Sequence, residues 1–429
     1  MNVQTIKKSA CCLLFATAAL QAFPQGASLS PYSQFGLGDL APQGMSANRG
    51  VDGLGIALHR GNAINSVNPA SYAYVDSLTF LFDVGASGQI TNFKEGSLKK
   101  TAKTASFDYA AAAYRLSKNF GMSFGLQPYT NIDYEYSVEE AVVNNDPIYS
   151  VFEGEGGLSK LYVGLGYRPL KHLAIGVSGA YLWGEMRKGV VTGANSSLDL
   201  NILSKIYDVD FRNFALDFGA QYDIPIGKDR LTLGVTYGLG HNLNADADLT
   251  VMSVNSSVSK ADTTRYVISK AYELPHTFGA GITYSKGEQW FIGADVQMQQ
   301  WGKTKYPEHD VDGYKLRDNL LDDMYKATLG FELCPRWNSR RFFDRIRYSA
   351  GVSYATPYYK VNGKKGPKQL SASVGFAIPI MNAYNNRSVL HISGQWSNRS
   401  ADGMLKENTF RINIGMTFNE KWFAKWKIE

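Results

Sequence analysis

The stretch Phe410-Arg411-Ile412-Asn413-Ile414-Gly415-Met416-Thr417-Phe418 limits the fold of this chain more than any other. Side chains of a strand alternate between two faces. Phe410, Ile412, Ile414, Met416 and Phe418 therefore share one face, and Arg411, Asn413, Gly415 and Thr417 share the other. One face is wholly apolar and its opposite is polar or small, which suits a wall between lipid and an aqueous lumen. A β-sandwich could carry the same pattern in a single strand, so the rest of the chain must decide.

The N-terminus points to a membrane beyond a secretory pathway. Lys7 and Lys8 precede an apolar stretch over Ser9–Leu20, the length of a signal-peptide h-region and too short to span a bilayer. Ala22 offers a small residue for cleavage, so residues 1–22 are expected to be a signal peptide and Phe23 the start of the mature chain. Cys11 and Cys12 leave with it and Cys334 stays alone, which excludes an internal disulfide and a cysteine metal cluster. No later segment reaches ~18 uninterrupted apolar residues, the length a membrane helix needs. With 42 Gly, 26 Tyr and 22 Phe, the composition suits a wall that is apolar at every second residue and ringed by aromatics. A formal charge of +6 over 429 residues gives no concentrated basic patch and no case for nucleic acid.

The alternation recurs in about fourteen segments between residues 77 and 418, a count typical of transmembrane barrels. Leu161, Val163, Leu165 and Tyr167 oppose Tyr162, Gly164, Gly166 and Arg168; Trp290, Ile292, Ala294, Val296 and Met298 oppose Phe291, Gly293, Asp295, Gln297 and Gln299. Connections alternate in length. Ser117–Asn119, Pro169–His172 and Ser285–Gly287 are tight, whereas Lys94–Lys103, Ser137–Gly157, Met186–Asp208, Gly240–Ala271 and Gly302–Asp323 read as long polar loops. Short periplasmic turns, long surface loops and both termini in the periplasm are the expected topology of an integral outer-membrane protein. Residues 419–429 form a periplasmic tail in which Lys421, Lys425 and Lys427 are interspersed with Trp422, Phe423 and Trp426, a pattern suited to headgroups.

Residues 23–76 are rich in Gly, Asn, Ser and Pro, a density of turn residues that argues against strands. A fourteen-strand barrel leaves a hole unless something fills it. Leu54, Ile56, Leu58, Ile64 and Val67 suit packing inside, so this segment is expected to be a hatch within the lumen. Pro69 lacks an N–H, and the amides of Asn65 and Asn68 can satisfy backbone groups that no ladder reaches.

Gly53-Leu54-Gly55-Ile56-Ala57 followed by Asn68-Pro69-Ala70, just before the first barrel strand, resembles the hatch of the long-chain fatty-acid transporter family, the FadL-type barrels. Leu274-Pro275, leading into Thr277–Tyr284 and Trp290–Trp301, resembles a late hairpin of the same family. Ser30-Pro31-Tyr32-Ser33, Gly36-Leu37-Gly38-Asp39 and the ending Asn419–Phe423 resemble its Bacteroidetes branch. The resemblance implies a fourteen-strand barrel and a hatch containing Asn65, Asn68, Pro69 and Ala70. It also implies hydrophobic, fatty-acid-like ligands that leave sideways into the bilayer where a strand is kinked. Members of this fold also serve as carriers or as subunits of outer-membrane machines. One departure is that the chain runs past Phe418, where many barrels end on an aromatic residue.

Enzyme readings are weak. His391-Ile392-Ser393 with Asn398 matches the pattern of outer-membrane phospholipases, but Leu390, Ile392 and Trp396 form the apolar set, which turns His391 and Ser393 to the lumen. The six His residues show no metal-ligand spacing, and no glycine run lies between a parallel strand and a helix. His309-Asp310-Val311-Asp312-Gly313 could attract calcium but reads better as a solvated loop. Arg336, Arg340, Arg341 and Arg345 fall in one periplasmic turn, where anionic headgroups or a soluble partner could bind. No catalytic residue, cofactor or metal is expected. Two functions remain: passive uptake of hydrophobic small molecules through hatch and lateral opening, or a non-catalytic barrel subunit or carrier of an outer-membrane protein assembly or secretion complex. Expected partners are outer-membrane lipids, a hydrophobic ligand and other outer-membrane proteins. The topology predicts that a tag within Gly302–Asp323 is labelled on intact cells and one within Pro169–His172 is not; the reverse result would invert the orientation.

Overall fold

In the computed structural model, described for residues 30–77, 79–143, 146–194, 201–255, 260–381 and 387–421, one antiparallel sheet closes on itself. The signal peptide and most of the tail lie outside these residues. Fourteen strands form the wall: β1 Thr79–Glu95, β2 Leu98–Arg115, β3 in two segments Phe120–Pro128 and Thr130–Val143, β4 Asp146–Leu170, β5 Leu173–Ala194, β6 Ile202–Ile226 and β7 Asp229–Gly238. They continue with β8 Thr277–Lys286, β9 Trp290–Gln299, β10 Met324–Leu333, β11 Arg347–Ala355, β12 Lys368–Met381, β13 Arg387–Ser400 and β14 Lys406–Lys421. β14 pairs back onto β1 from Thr79↔Lys421 to Lys94↔Lys406, so the first and last strands close the ring. In lipid, closure is obligatory, because an unpaired backbone group has no water to bond.

The faces follow the alternation. Phe410, Ile412, Ile414 and Phe418 are exposed on the outer wall and Met416 is half-buried there, while Asn413 and Thr417 are buried inside. Tyr181 and Trp183 stack on the outer face at 5.8 Å. Above them Glu185 and Arg187 replace apolar residues, which marks where the lipid band ends.

The connections differ from the expected loops. Ser137–Gly157 and Met186–Asp208 are largely strand: β4 and β6 run for 25 residues each and β5 for 22. A membrane crossing needs only about 9–11. Gly240–Ala271 contains a hairpin, Ala247–Asn255 with Lys260–Ile268, whose first strand pairs with the upper part of β6. These strands form a tall wing above the membrane. Nearest the membrane their outer positions carry Glu135, Glu153, Glu155 and Arg187, with Val151 and Val191 further out, while Tyr136 stacks on Phe152 at 5.0 Å inside, so no continuous apolar outer face announces them as strands. Lys94–Lys103 is likewise a hairpin turning at Gly96. Gly302–Asp323 holds the hairpin Tyr306–Asp310 and Gly313–Arg317, in which Arg317 engages Asp310 at 3.0 Å and Glu308 at 3.5 Å. The acidic residues there are thus occupied by an arginine.

Ile414→Arg should destabilise the barrel by about 2–4 kcal/mol, the cost of a cation near the bilayer midplane. Heat-modifiable gel mobility would report it, and an unchanged transition would refute the assigned face. Asn413→Arg is not a neutral comparison, because Asn413 accepts a hydrogen bond from Arg49 of the hatch at 2.9 Å rather than facing water.

The hatch seat and the gap in the wall as the candidate functional site

Residues 30–76 fill the lumen as short turns: a 3₁₀ turn Pro31–Gln34, a two-residue strand Asp39–Leu40, a helical turn Ser46–Arg49 and a 3₁₀ helix Pro69–Tyr74. Asn68 caps the last of these, its Oδ1 accepting from Ala70 N at 3.0 Å and its amide donating to Ile56 O at 2.7 Å. Asn65 donates to Gly55 O and Leu58 O, both at 2.7 Å. Asn65, Asn68, Pro69 and Ala70 are all buried. The side-chain amides supply the partners that a chain without a ladder lacks.

Wall glycines let this backbone come close. A Cβ at Gly176 on β5 would overlap the Pro69–Ala70 peptide, one at Gly219 on β6 the Asn68 side chain, and one at Gly234 on β7 the Ile56 carbonyl. On β4, Gly166 faces Ala73; on β11, Gly351 faces Val51; on β12, Gly375 faces Gly50. The hatch therefore touches wall backbone around most of the circumference.

Charged pins lock it there. Arg49 Nη1 meets Asp108 Oδ2 at 2.6 Å, and its guanidinium lies 5.4 Å from the Tyr109 ring. Asp295 Oδ2 on β9 accepts from Gly55 N at 2.7 Å and Ile56 N at 2.9 Å. His59 meets Asp223 at 3.0 Å, Arg60 meets Glu332 at 2.5 Å, and Arg399 meets Asp39 at 3.0 Å. Ser30 donates to Glu407 at 2.6 Å, and Lys188 donates to Gln34 O at 2.7 Å and Gly36 O at 2.9 Å. These pairs lie in little water, so removing one partner strands the other. None of these charged partners stands out in sequence, since each is one inward polar residue among many. The glycine rows were the visible signal.

Among the described residues, the ladder between β2 and β3 is interrupted. β2 and β3 pair only from Ala110↔Leu126 to Arg115↔Gly121. Above this, Asp108 is the extra residue of a bulge in β2 opposite Gly85 and Ala86, which bends the strand. Pro128 ends the lower segment of β3 and has no N–H to offer β2. Past the break at Tyr129, β3 pairs instead with the hatch, Thr130 with Leu40 and Asn131 with Asp39. β3 is thus broken between its two segments, and a two-residue hatch strand lies against the start of the upper one. A cleft of about 1390 Å³ opens at this gap. Ala105, Pro128 and Arg49 line its gap side, and Glu155, Glu185, Arg187, Asp208, Asp210 and Arg265 its wing side. Its lining is mixed, with Phe107, Leu158, Trp183 and Val209 beside these charged groups.

His391 and Ser393 face the lumen. His391 lies 3.3 Å from Thr417 Oγ1 and Ser393 Oγ accepts from Asn413 at 3.3 Å, which makes them hydrogen-bonded lining. Asn398 bonds Asn408 instead.

A family model described as BamG matches residues 5–429. No curated protein sequence matches the chain. Among solved structures, the Pseudomonas putida toluene transporter TodX superposes with a TM-score of 0.60 at 13% identity, covering 90% of this chain and 100% of that one. The Ralstonia pickettii toluene transporter TbuX gives 0.58 at 12%, covering 90% and 99%. A Pseudomonas aeruginosa FadL homologue gives 0.58 at 11%, covering 89% and 98%. These likenesses establish a FadL-like barrel fold.

Gly176→Ala should unseat the hatch at Pro69 while the barrel still closes, raising protease cleavage within residues 30–76 at unchanged heat-modifiable mobility. Gly179→Ala on the same strand meets nothing closer than the Leu216 side chain at 3.7 Å and should change neither. Equal behaviour of the two variants would remove the close-approach account.

Proposed function

The chain belongs to the BamG family, and on that premise we propose that it is a non-catalytic barrel subunit of an outer-membrane protein assembly or secretion complex. The observation that carries this reading is the seated hatch. Wall glycines receive its backbone around the lumen, and buried ion pairs such as Arg49–Asp108 and Arg60–Glu332 hold it. A segment fixed in this way blocks the lumen instead of gating it. The charged groups on the wing side of the cleft, Glu155, Glu185, Arg187, Asp208 and Asp210, also suit protein contacts, since an apolar solute held against them would leave them without water or partners. The wing of β3–β6 with its added hairpin supplies a docking surface beyond the lipid band. In this reading both termini are periplasmic, and the chain is a member of the Bacteroidetes branch.

A second reading is favoured by the wall gap. A hydrophobic, fatty-acid-like molecule would enter from the long-loop side and leave into the bilayer between β2 and β3, with Asn65, Asn68, Pro69 and Ala70 controlling passage. The toluene transporters share the fold on which such a route is built.

Cells with and without the protein, and cells carrying a form that lacks residues 23–72, separate the two. The subunit reading expects uptake of a fluorescent fatty acid to be equal in all three. It also expects outer-membrane proteins to co-purify with the full chain and to be reduced with the deletion form. Uptake that falls when the protein is lost, with no protein co-purifying, would establish the channel instead.

A further inference from the structure

The connection between β10 and β11, residues 334–346, is unlike the other described turns at its end of the barrel. Those are two to four residues long and carry exposed lysines in or beside them: Lys118, Lys171, Lys228 and Lys286. This one is a built structure. Cys334 N donates to Gln289 O at 2.5 Å, Arg336 N to Asp344 O at 2.8 Å and Ser339 Oγ to Asp344 Oδ2 at 2.9 Å. A single helical turn, Phe342–Arg345, closes it.

The fold of the turn spends its polar backbone and its one carboxylate internally and turns cations and rings outward. Arg336, Arg340 and Arg341 are exposed and Arg345 is half-exposed. Trp337, Phe342 and Phe343 are 49%, 48% and 71% exposed, large values for rings on an ordered turn. The turn also stands on the lipid side of the wall. Tyr348 occupies an outer-face position between the exposed Leu333 and Phe376, and its hydroxyl donates to Phe343 O at 3.1 Å. The rings therefore continue the apolar outer wall downward to the level where acyl chains give way to headgroups. Indole and phenyl rings settle at that boundary, and guanidinium groups meet phosphates there with two parallel donors.

We infer that residues 336–345 form an anionic-phospholipid site, in which the arginines bind headgroup phosphates of the adjoining leaflet and Trp337, Phe342 and Phe343 lie among the upper acyl carbons. The site is independent of whether the barrel conducts or only docks. It would fix the height and rotation of the barrel in the bilayer at one point of its rim.

Full-length protein in detergent, titrated with phosphatidylglycerol or phosphatidylcholine and read by native mass spectrometry, tests this. Each engaged arginine should favour the anionic lipid by about fivefold. The triple variant Arg336→Gln, Arg340→Gln, Arg341→Gln should lose that preference, whereas Lys118→Gln, Lys171→Gln, Lys228→Gln, with the same charge removed from the same rim, should keep it. A second readout is independent of charge: brominated phosphatidylglycerol should quench an emission component that disappears in Trp337→Phe. Equal retention of the two lipids, or equal losses in the two triple variants, would overturn the site. So would a soluble protein that co-purifies with the wild type and is lost from the arginine variant at unchanged lipid retention.

Discussion

The whole molecule depends on the obligation to pair every backbone group that faces lipid. That obligation makes β14 return to β1, and fourteen strands drawn into a ring leave a space too wide for wall side chains to fill. The hatch answers the space, and glycines in the wall answer the hatch. Gly176, Gly219 and Gly234 face inward because anything larger would stand where hatch backbone runs. The small residues that make the inner face look featureless are the mould for the plug.

At one place the pairing rule is met by an unusual partner. β2 bends away at Asp108, Pro128 removes a donor, and the wall would be left open from that level upward. The hatch inserts Asp39–Leu40 against Thr130–Asn131, while Arg49 reaches Asp108 on the bulge itself. Plug and wall are thus mutually required at the gap. This is also the level at which the outer face turns from Tyr181 and Trp183 to Glu185 and Arg187, so the interruption sits where water is within reach of what remains unpaired.

Strand number, closure and the two faces were legible because lipid imposes a period of two that few other environments demand. The hatch was legible from Leu54, Ile56 and Asn68-Pro69-Ala70 set among turn residues. The wing was not. Asp133, Glu135, Glu153 and Glu155 are charged at outer positions bathed by water, and once neither face must be apolar a strand carries no sign of itself in its polarity. Nor could sequence pair Arg60 with Glu332 or Gly55 with Asp295, partners separated by 272 and 240 residues and specified only by closure of the ring.

That separation has a consequence for how the molecule is made. Ser30 bonds Glu407, 377 residues later, and Asp39 meets Arg399, 360 residues later. The hatch is the first part of the described chain to be synthesised, yet its seats at Arg399, Glu407 and Asn413 do not exist until the last strands arrive. Contacts so distant along the chain form slowly, because the loop between them must be closed before they contribute. Until then a segment rich in buried-type residues such as Leu54, Ile56 and Tyr72 has nowhere to go. The earliest residues therefore complete their contacts only with the last strands in place, and closure of the ring and seating of the plug are one task.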